Sequence, residues 1–226
     1  MIVSSDGRLA AALAEQLTAA GTTAVSAGGA GPAGDSHREC DTSSAADLQA
    51  ALAQAVGRLG ETPAVIRLGI AAAATPPVEL TSLDLAGWVA RAEAPLRDVL
   101  AFHQAAQRFL ADRGGGRVVV VVPTVGLAGG PGLVPMATVA EADRSMLKAQ
   151  ARVCGRLGIT LNTVAVTTSL LAGAETDLDR GGLPALALAA PGLPEVAAVI
   201  DGLLAPAFAA VTGQTIAVDG GCWMAL

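Results

Sequence analysis

The chain has 226 residues, a formal net charge of −6 and no basic cluster interleaved with aromatic residues. That length suits one domain with a sizeable core, and the charge argues against nucleic acid or an anionic membrane as a partner, since both require a basic surface. Hydrophobic residues make up 52% and charged residues 15%, an apolar excess that reflects either the many alanines or faces buried against neighbouring subunits. Cys40, Cys154 and Cys222 are odd in number and widely spaced, as expected of reduced thiols and not of a disulfide frame or zinc site. The opening MIVSSDGRLAAAL lacks the charged and apolar blocks of a signal peptide, and the run Val118 to Val122 is too short to span a bilayer. A cytoplasmic protein without membrane contact is expected.

Taken in chain order, short β-type runs alternate with longer helical stretches, the pattern of a parallel sheet with crossover helices. Ile2–Ser4 reads as the first strand and Leu9–Ala20 as its helix, stopped by Gly21. Thr22–Ser26 reads as strand two and His37–Cys40 as a short strand three. Asp41-Thr42-Ser43-Ser44 caps a helix over Ala45–Leu59, and Ala64–Leu68 is strand four. A long helical region, Leu83–Asp112, precedes strand five at Arg117–Val122. A helix over Ala137–Leu157 leads to strand six at Thr160–Val166, then come a helix at Glu195–Leu204 and a last strand at Thr215–Val218. No internal repeat or linker divides residues 1–226, so a single domain is expected. The segment AGGAGPAGDS after strand two has no helical period, so the helix between strands two and three is expected to be shortened or absent.

From Gly116 the sequence runs GRVVVVVPTVGL, then GGPGLVPMATVAEADR, then GITLNTVAV, and it closes on TGQTIAVDGG. This order resembles the short-chain dehydrogenase/reductase (SDR) family. The resemblance implies a Rossmann-like, doubly wound α/β fold with a parallel sheet of about seven strands. It also implies a catalytic set of Asn, Ser and Tyr-x-x-x-Lys, yet the chain contains no tyrosine. Counting back from Asn162, the tyrosine position falls on Met136 and the lysine position on Ala140; the serine position falls on Pro123 and the asparagine position on Pro95. A methionine donates no proton and an alanine carries no charge, so the general acid and its helper are missing. Proline inside a helix costs about 3 kcal/mol, which predicts a kink at Pro95.

The cofactor motif is altered in the same way. The family's three glycines after strand one align near Ser4, Arg8 and Ala10, with Gly7 out of register. The Asn-Asn-Ala-Gly segment aligns with Arg67-Leu68-Gly69-Ile70, counted from Asp41 and Gly60, and the Pro-Gly after strand six with Val166-Thr167. Ala27-Gly28-Gly29 supply no acidic or basic side chain for the ribose. Asp41 alone matches the family's adenine contact, and a helix cap explains it equally well. No nicotinamide cofactor and no metal are expected; His37 and His103 lack metal-ligand spacing.

What the resemblance keeps is structural: Asn162, the Thr-Gly-Gln at 212–214, Asp219-Gly220-Gly221 and the two long helices. In SDR relatives these helices, here Leu83–Asp112 and Ala137–Leu157, pair with their copies, and a tetramer is implied. Val139, Met146 and Val153 recur every seven positions with Ala142 and Ala149 between them, a stripe suited to close helix packing. The tail Trp223-Met224-Ala225-Leu226 is apolar and suits a second contact. The reading that follows is a catalytically inactive SDR-like subunit that pairs with an active SDR paralogue, or with itself, through these helices and the tail. An alternative is a cofactor-independent dehydratase, isomerase or cyclase in a biosynthetic pathway, using Thr124, His103, Arg67 and Glu93. A third is a binding or sensor module built on Arg67 and Arg8; alternatively those arginines pair with Asp6 and Asp41 and fill the cleft.

Overall fold

In a computed structural model of the protein, the structure describes residues 1–32, 36–59, 64–69, 76–172 and 188–224, leaving aside the side chains of 57–59. Gly60, Ile70, Ala225, Leu226 and part of the glycine-rich segment lie outside the described residues. Seven strands form one sheet, every neighbouring pair parallel, in the order β3-β2-β1-β4-β5-β6-β7. They are β1 (Ile2–Ser4), β2 (Ser26–Gly28), β3 (His37–Glu39), β4 (Ala64–Leu68), β5 (Gly116–Pro123), β6 (Ile159–Val166) and β7 (Thr215–Val218). This is a Rossmann-like α/β architecture.

Helices cover both faces, which is why the central strands read as unbroken apolar runs. In β5, Val118, Val120 and Val122 enter one core with α2 (Ala45–Leu59), α4 (Ala94–Ala111) and α6 (Val134–Cys154). The alternate residues Val119 and Val121 enter the other core, with α1 (Gly7–Ala19) and α8 (Leu193–Leu204). On α1 the buried residues Ala10, Leu13, Ala14 and Leu17 recur every three or four positions, the stripe that packs a helix on a sheet. Each fully buried leucine or isoleucine contributes roughly 1.5–3 kcal/mol.

The bounds of β1, α2, β4 and β7 match those read from the sequence, those of α1, β3, β5, α6, β6 and α8 shift by one to three residues, and two regions differ more. The β-branched run Thr22–Val25 does not extend β2: the Thr22 N–H donates to Leu17 O at 2.9 Å and closes α1, and pairing with β1 runs from Ser26 to Gly28. The long region before β5 is not one helix with a kink. It comprises a 3-10 turn (Leu80–Ser82), α3 (Leu85–Trp88), a π-helical turn (Val89–Glu93) and α4. Pro95 has no N–H and its ring would strike the Arg91 carbonyl in a regular α-helix. The chain widens one turn earlier, with Ala94 N–H donating to Val89 O, a common way to absorb such a break. The sequence reading also missed two short helices, α5 (Val125–Ala128) and α7 (Thr168–Ala172). Among the described residues no helix is long and apolar enough to cross a membrane.

Candidate functional site

Open parallel sheets bind ligands beyond the carboxyl ends of their strands, where the strand order reverses. Here that place is the end of β1 and the start of α1. Asp6 caps the helix: its carboxylate accepts the N–H groups of Arg8 at 3.0 Å and Leu9 at 3.1 Å. Gly28, at φ +145°, lies so close that an added Cβ would sit 1.6 Å from Ser4 O. A Cβ on Gly29 would sit 2.2 Å from Ser5 O, and one on Gly7 would sit 2.2 Å from Gly29 O. The His37 ring closes the remaining side, with Nε2 3.0 Å from Gly29 O and Nδ1 2.8 Å from Ser26 Oγ. The end of β1 is thus packed against the chain's own backbone.

Deeper in, three side chains from three elements converge. Arg67 on β4 and His103 on α4 both engage Asp143 on α6: the guanidinium pairs with Oδ2, and His103 Nε2 lies 2.8 Å from Oδ1. All three are buried. Burial alone would raise the Asp143 pKa; Arg67 and the His103 bond outweigh it and hold the carboxyl below its usual range. Asp98, half-buried one turn before His103, has its pKa raised by burial, with Arg67 and the Thr42 hydroxyl opposing. The space left between Ser5, Thr42, Arg67 and Asp98 is about 10 Å³, roughly room for one water at most. A larger cavity, about 560 Å³, lies at the opposite end of the strands, between β2, β3 and α2.

Beyond β5 a second buried network ties the C-terminal segment down. The Thr124 hydroxyl donates to Asp219 Oδ2 at 3.0 Å. The Asp219 carboxylate also accepts the N–H groups of Gly221 and Trp223. Asn162 locks β6 to the Thr-Gly-Gln turn, donating to Val211 O at 2.8 Å and accepting from Gln214 N at 3.1 Å.

A sequence model of the family described as enoyl-(acyl carrier protein) reductase matches residues 8–222, nearly the whole chain. The chain belongs to the short-chain dehydrogenase/reductase family. Met136, which counting from Asn162 sets at the tyrosine position, is fully buried in an apolar cluster with Val125 and Leu133. Ala140, set by the same count at the lysine position, presses on α5 so closely that a Cβ on Gly126 would lie 2.8 Å from its own Cβ. Pro123 ends β5 and Pro95 opens α4, both without a side-chain donor.

The SDR fold implies a nicotinamide dinucleotide, and the residues at its place do not fit one. Pyrophosphate binding needs free N–H groups at the helix start and backbone that a phosphate can approach. The Arg8 and Leu9 amides are already engaged by the Asp6 carboxylate, and main chain fills the approach. Arg8 is exposed on the first turn of α1. Asp41 is exposed and accepts from the Ser43 hydroxyl and N–H, bonds that lower its pKa, in the manner of a local cap.

Of the four alternative catalytic candidates, only Arg67 and His103 come together. Thr124 is buried in the Asp219 network, and Glu93 is exposed on the π-helical turn. Arg67 reaches neither Asp6 nor Asp41 but Asp143, a residue the sequence reading passed over. Its signal was a carboxylate on the inward row of α6, between Val139, Ala140 and Leu147. Among the described residues no three His, Cys, Asp or Glu side chains are placed to hold a metal ion.

Proposed function

We propose that this SDR-family chain is a non-catalytic subunit that binds no nicotinamide cofactor and docks against an active SDR paralogue through α4, α6 and the C-terminal tail. The observation that supports this reading is the end of β1, where the Gly28 and Gly29 backbone packs against Ser4 and Ser5 and the His37 ring bonds Gly29 O. It is supported by Met136, whose buried thioether has no proton to transfer. The paralogue supplies the reaction; this chain supplies helix surface against which the paralogue's own catalytic helix is held, and the tail adds to the contact. A stable association of this kind buries on the order of 1,600 Å².

Two measurements test it. Titration with NADH and NADPH, followed by nucleotide fluorescence and by thermal shift, should show no saturable binding up to millimolar concentration; ordinary micromolar affinity defeats the proposal. Co-expression with an SDR homologue that retains Tyr-x-x-x-Lys should give a mixed oligomer whose activity needs both chains. A partner that is stable and fully active as a homo-oligomer refutes the pairing.

A further inference from the structure

Charge is unevenly spread over the folded chain in a way its overall acidity conceals. Residues 89–113 and 134–157, which carry α4, α6 and their flanking turns, hold eight of the 14 Lys and Arg residues and five of the 20 Asp and Glu residues. That region is net +3, and the rest of the chain is net −9. Even these five acids are mostly committed. Asp143 is buried against Arg67 and His103, Glu141 pairs with Arg144 at 2.5 Å, and Asp98 is half-buried beside Thr42.

The uncommitted cations point outward. Arg97 and Arg108 on α4, and Lys148, Arg152 and Arg156 on α6 and its terminal turn, are all exposed and form no ion pair with another described residue. Attraction to the helix dipole accounts for Arg108 and Arg152, which lie in last turns, since that effect fades beyond one turn. It does not account for Lys148 or Arg97. The same two helices expose apolar groups: Leu100 is 48% exposed and Val153 46%. The helices are fixed to each other by Gln150 donating to Gln107 at 3.2 Å and by the packing of Val99 against Val139. An apolar centre with a polar, charged rim is how protein interfaces are built.

We infer that the α4–α6 face is charge-selective: it rejects a second copy of this chain and accepts a helix pair whose rim carries Asp or Glu in place of these cations. This deepens the pairing proposed above and rests on it. A second copy would bring another net +3, with only Glu93 and Asp112, at the two ends of the α4 segment, as exposed carboxylates outside an ion pair among the described residues to answer five cations, whereas an acidic rim neutralises the stripe. Complementary rims chiefly set specificity and association rate, and they are sensitive to salt. The surface explains how a pseudo-twofold site shared by related chains would favour the mixed pair over the like pair.

The protein itself supplies the probe. The triple variant K148E/R152E/R156E turns one chain into a mimic of the acidic partner. With wild type immobilised, it should bind this variant about tenfold or more tightly than it binds wild type at 50 mM salt, and the preference should shrink at 300 mM. Circular dichroism checks that the variant is folded. Should it not fold, the neutral variant K148Q/R152Q/R156Q serves: it should self-associate measurably more than wild type. Equal or tighter self-association of wild type, or no association in the mixture, overturns the inference. So does binding of 20-base-pair duplex DNA or phosphatidylserine vesicles at 150 mM salt that the charge reversal abolishes, which would assign the stripe to a polyanion or a lipid. Nucleotide titration is independent of all these outcomes, so failure of the charge rule and failure of the subunit reading are told apart.

Discussion

The two halves of the sheet treat the family pattern differently. From β5 to β7 the motifs remain and are used as ties: Asn162 holds the Thr-Gly-Gln turn and Asp219 holds Thr124 and the backbone of the tail. Around β1, β2 and β4 the residues depart from the family pattern read in the sequence, and the chain's own groups pack together there. Glycine backbone fills the end of β1, and Arg67 turns to Asp143. The difference teaches that a ligand site in a close-packed protein does not simply fall empty, because an unfilled cavity is destabilising. Retained motifs keep their structural role, and lost ones are replaced by interior contacts.

The largest effects should come from breaking the replacement contacts. Asp143→Ala leaves the Arg67 charge buried without its partner and should cost about 3–5 kcal/mol, read as a lower urea midpoint. A change under 1 kcal/mol would mean that Arg67 finds solvent or another acid. Gly28→Ala should follow, at about 1–3 kcal/mol, because it places a Cβ at φ +145° against Ser4 O. In the retained half, Asp219→Ala should cost about 2 kcal/mol by leaving the Gly221 and Trp223 amides without their acceptor, while the Thr124 hydroxyl keeps its bond to Val166 O. It should also increase proteolysis near the C-terminus. An effect exceeding that of Asp143→Ala would reverse the ranking of the two halves.

Acid should distinguish the halves as well. The Asp143 carboxyl titrates below its unfolded value of about 3.9, because Arg67 and the His103 bond outweigh burial. Its contribution is present above that unfolded value and is lost as pH falls through the depressed folded one. Thermal stability should therefore fall below about pH 4, and the Asp143→Asn variant should show a shallower decline; equal slopes would remove Asp143 from the account. The smallest effect concerns chemistry. The double variant M136Y/A140K should oxidise no NADPH, since the end of β1 stays filled, and turnover would show that the filling is easily displaced.

Much of the fold was legible because it rests on local pattern. The valine run of β5, the stripe on α1 and the cap before α2 each state their element within a dozen residues. The π-helical turn was half-legible: Pro95 announced a disruption, but where it would fall depended on the Arg91 carbonyl and the packing of α4. The filled site was harder to foresee. Missing glycines after β1 and the helix-free segment after β2 were visible, yet nothing local said that Gly28 and Gly29 would move into the gap. Asp143 was the least legible, as its partners lie 40 and 76 residues away; only its place on an apolar helix row hinted at a buried mate. Charge segregation onto α4 and α6 was likewise hidden, because the cations are spaced singly along the chain and meet only on folded helices.

The groups at the end of β1 are chiefly main chain, with the His37 ring and the Asp6 carboxylate beside them. Substituting Asp6 or His37 would free the helix-start amides or one side of the place, but the glycine backbone would remain. On the reading proposed above, nucleotide binding would require the segment after β2 to be lengthened and withdrawn, a change of loop length before any change of residue. Under the non-catalytic reading proposed above, the loss of that binding would be a one-way step, and Met136, Ala140, Pro123 and Pro95 would be free to vary without consequence for turnover.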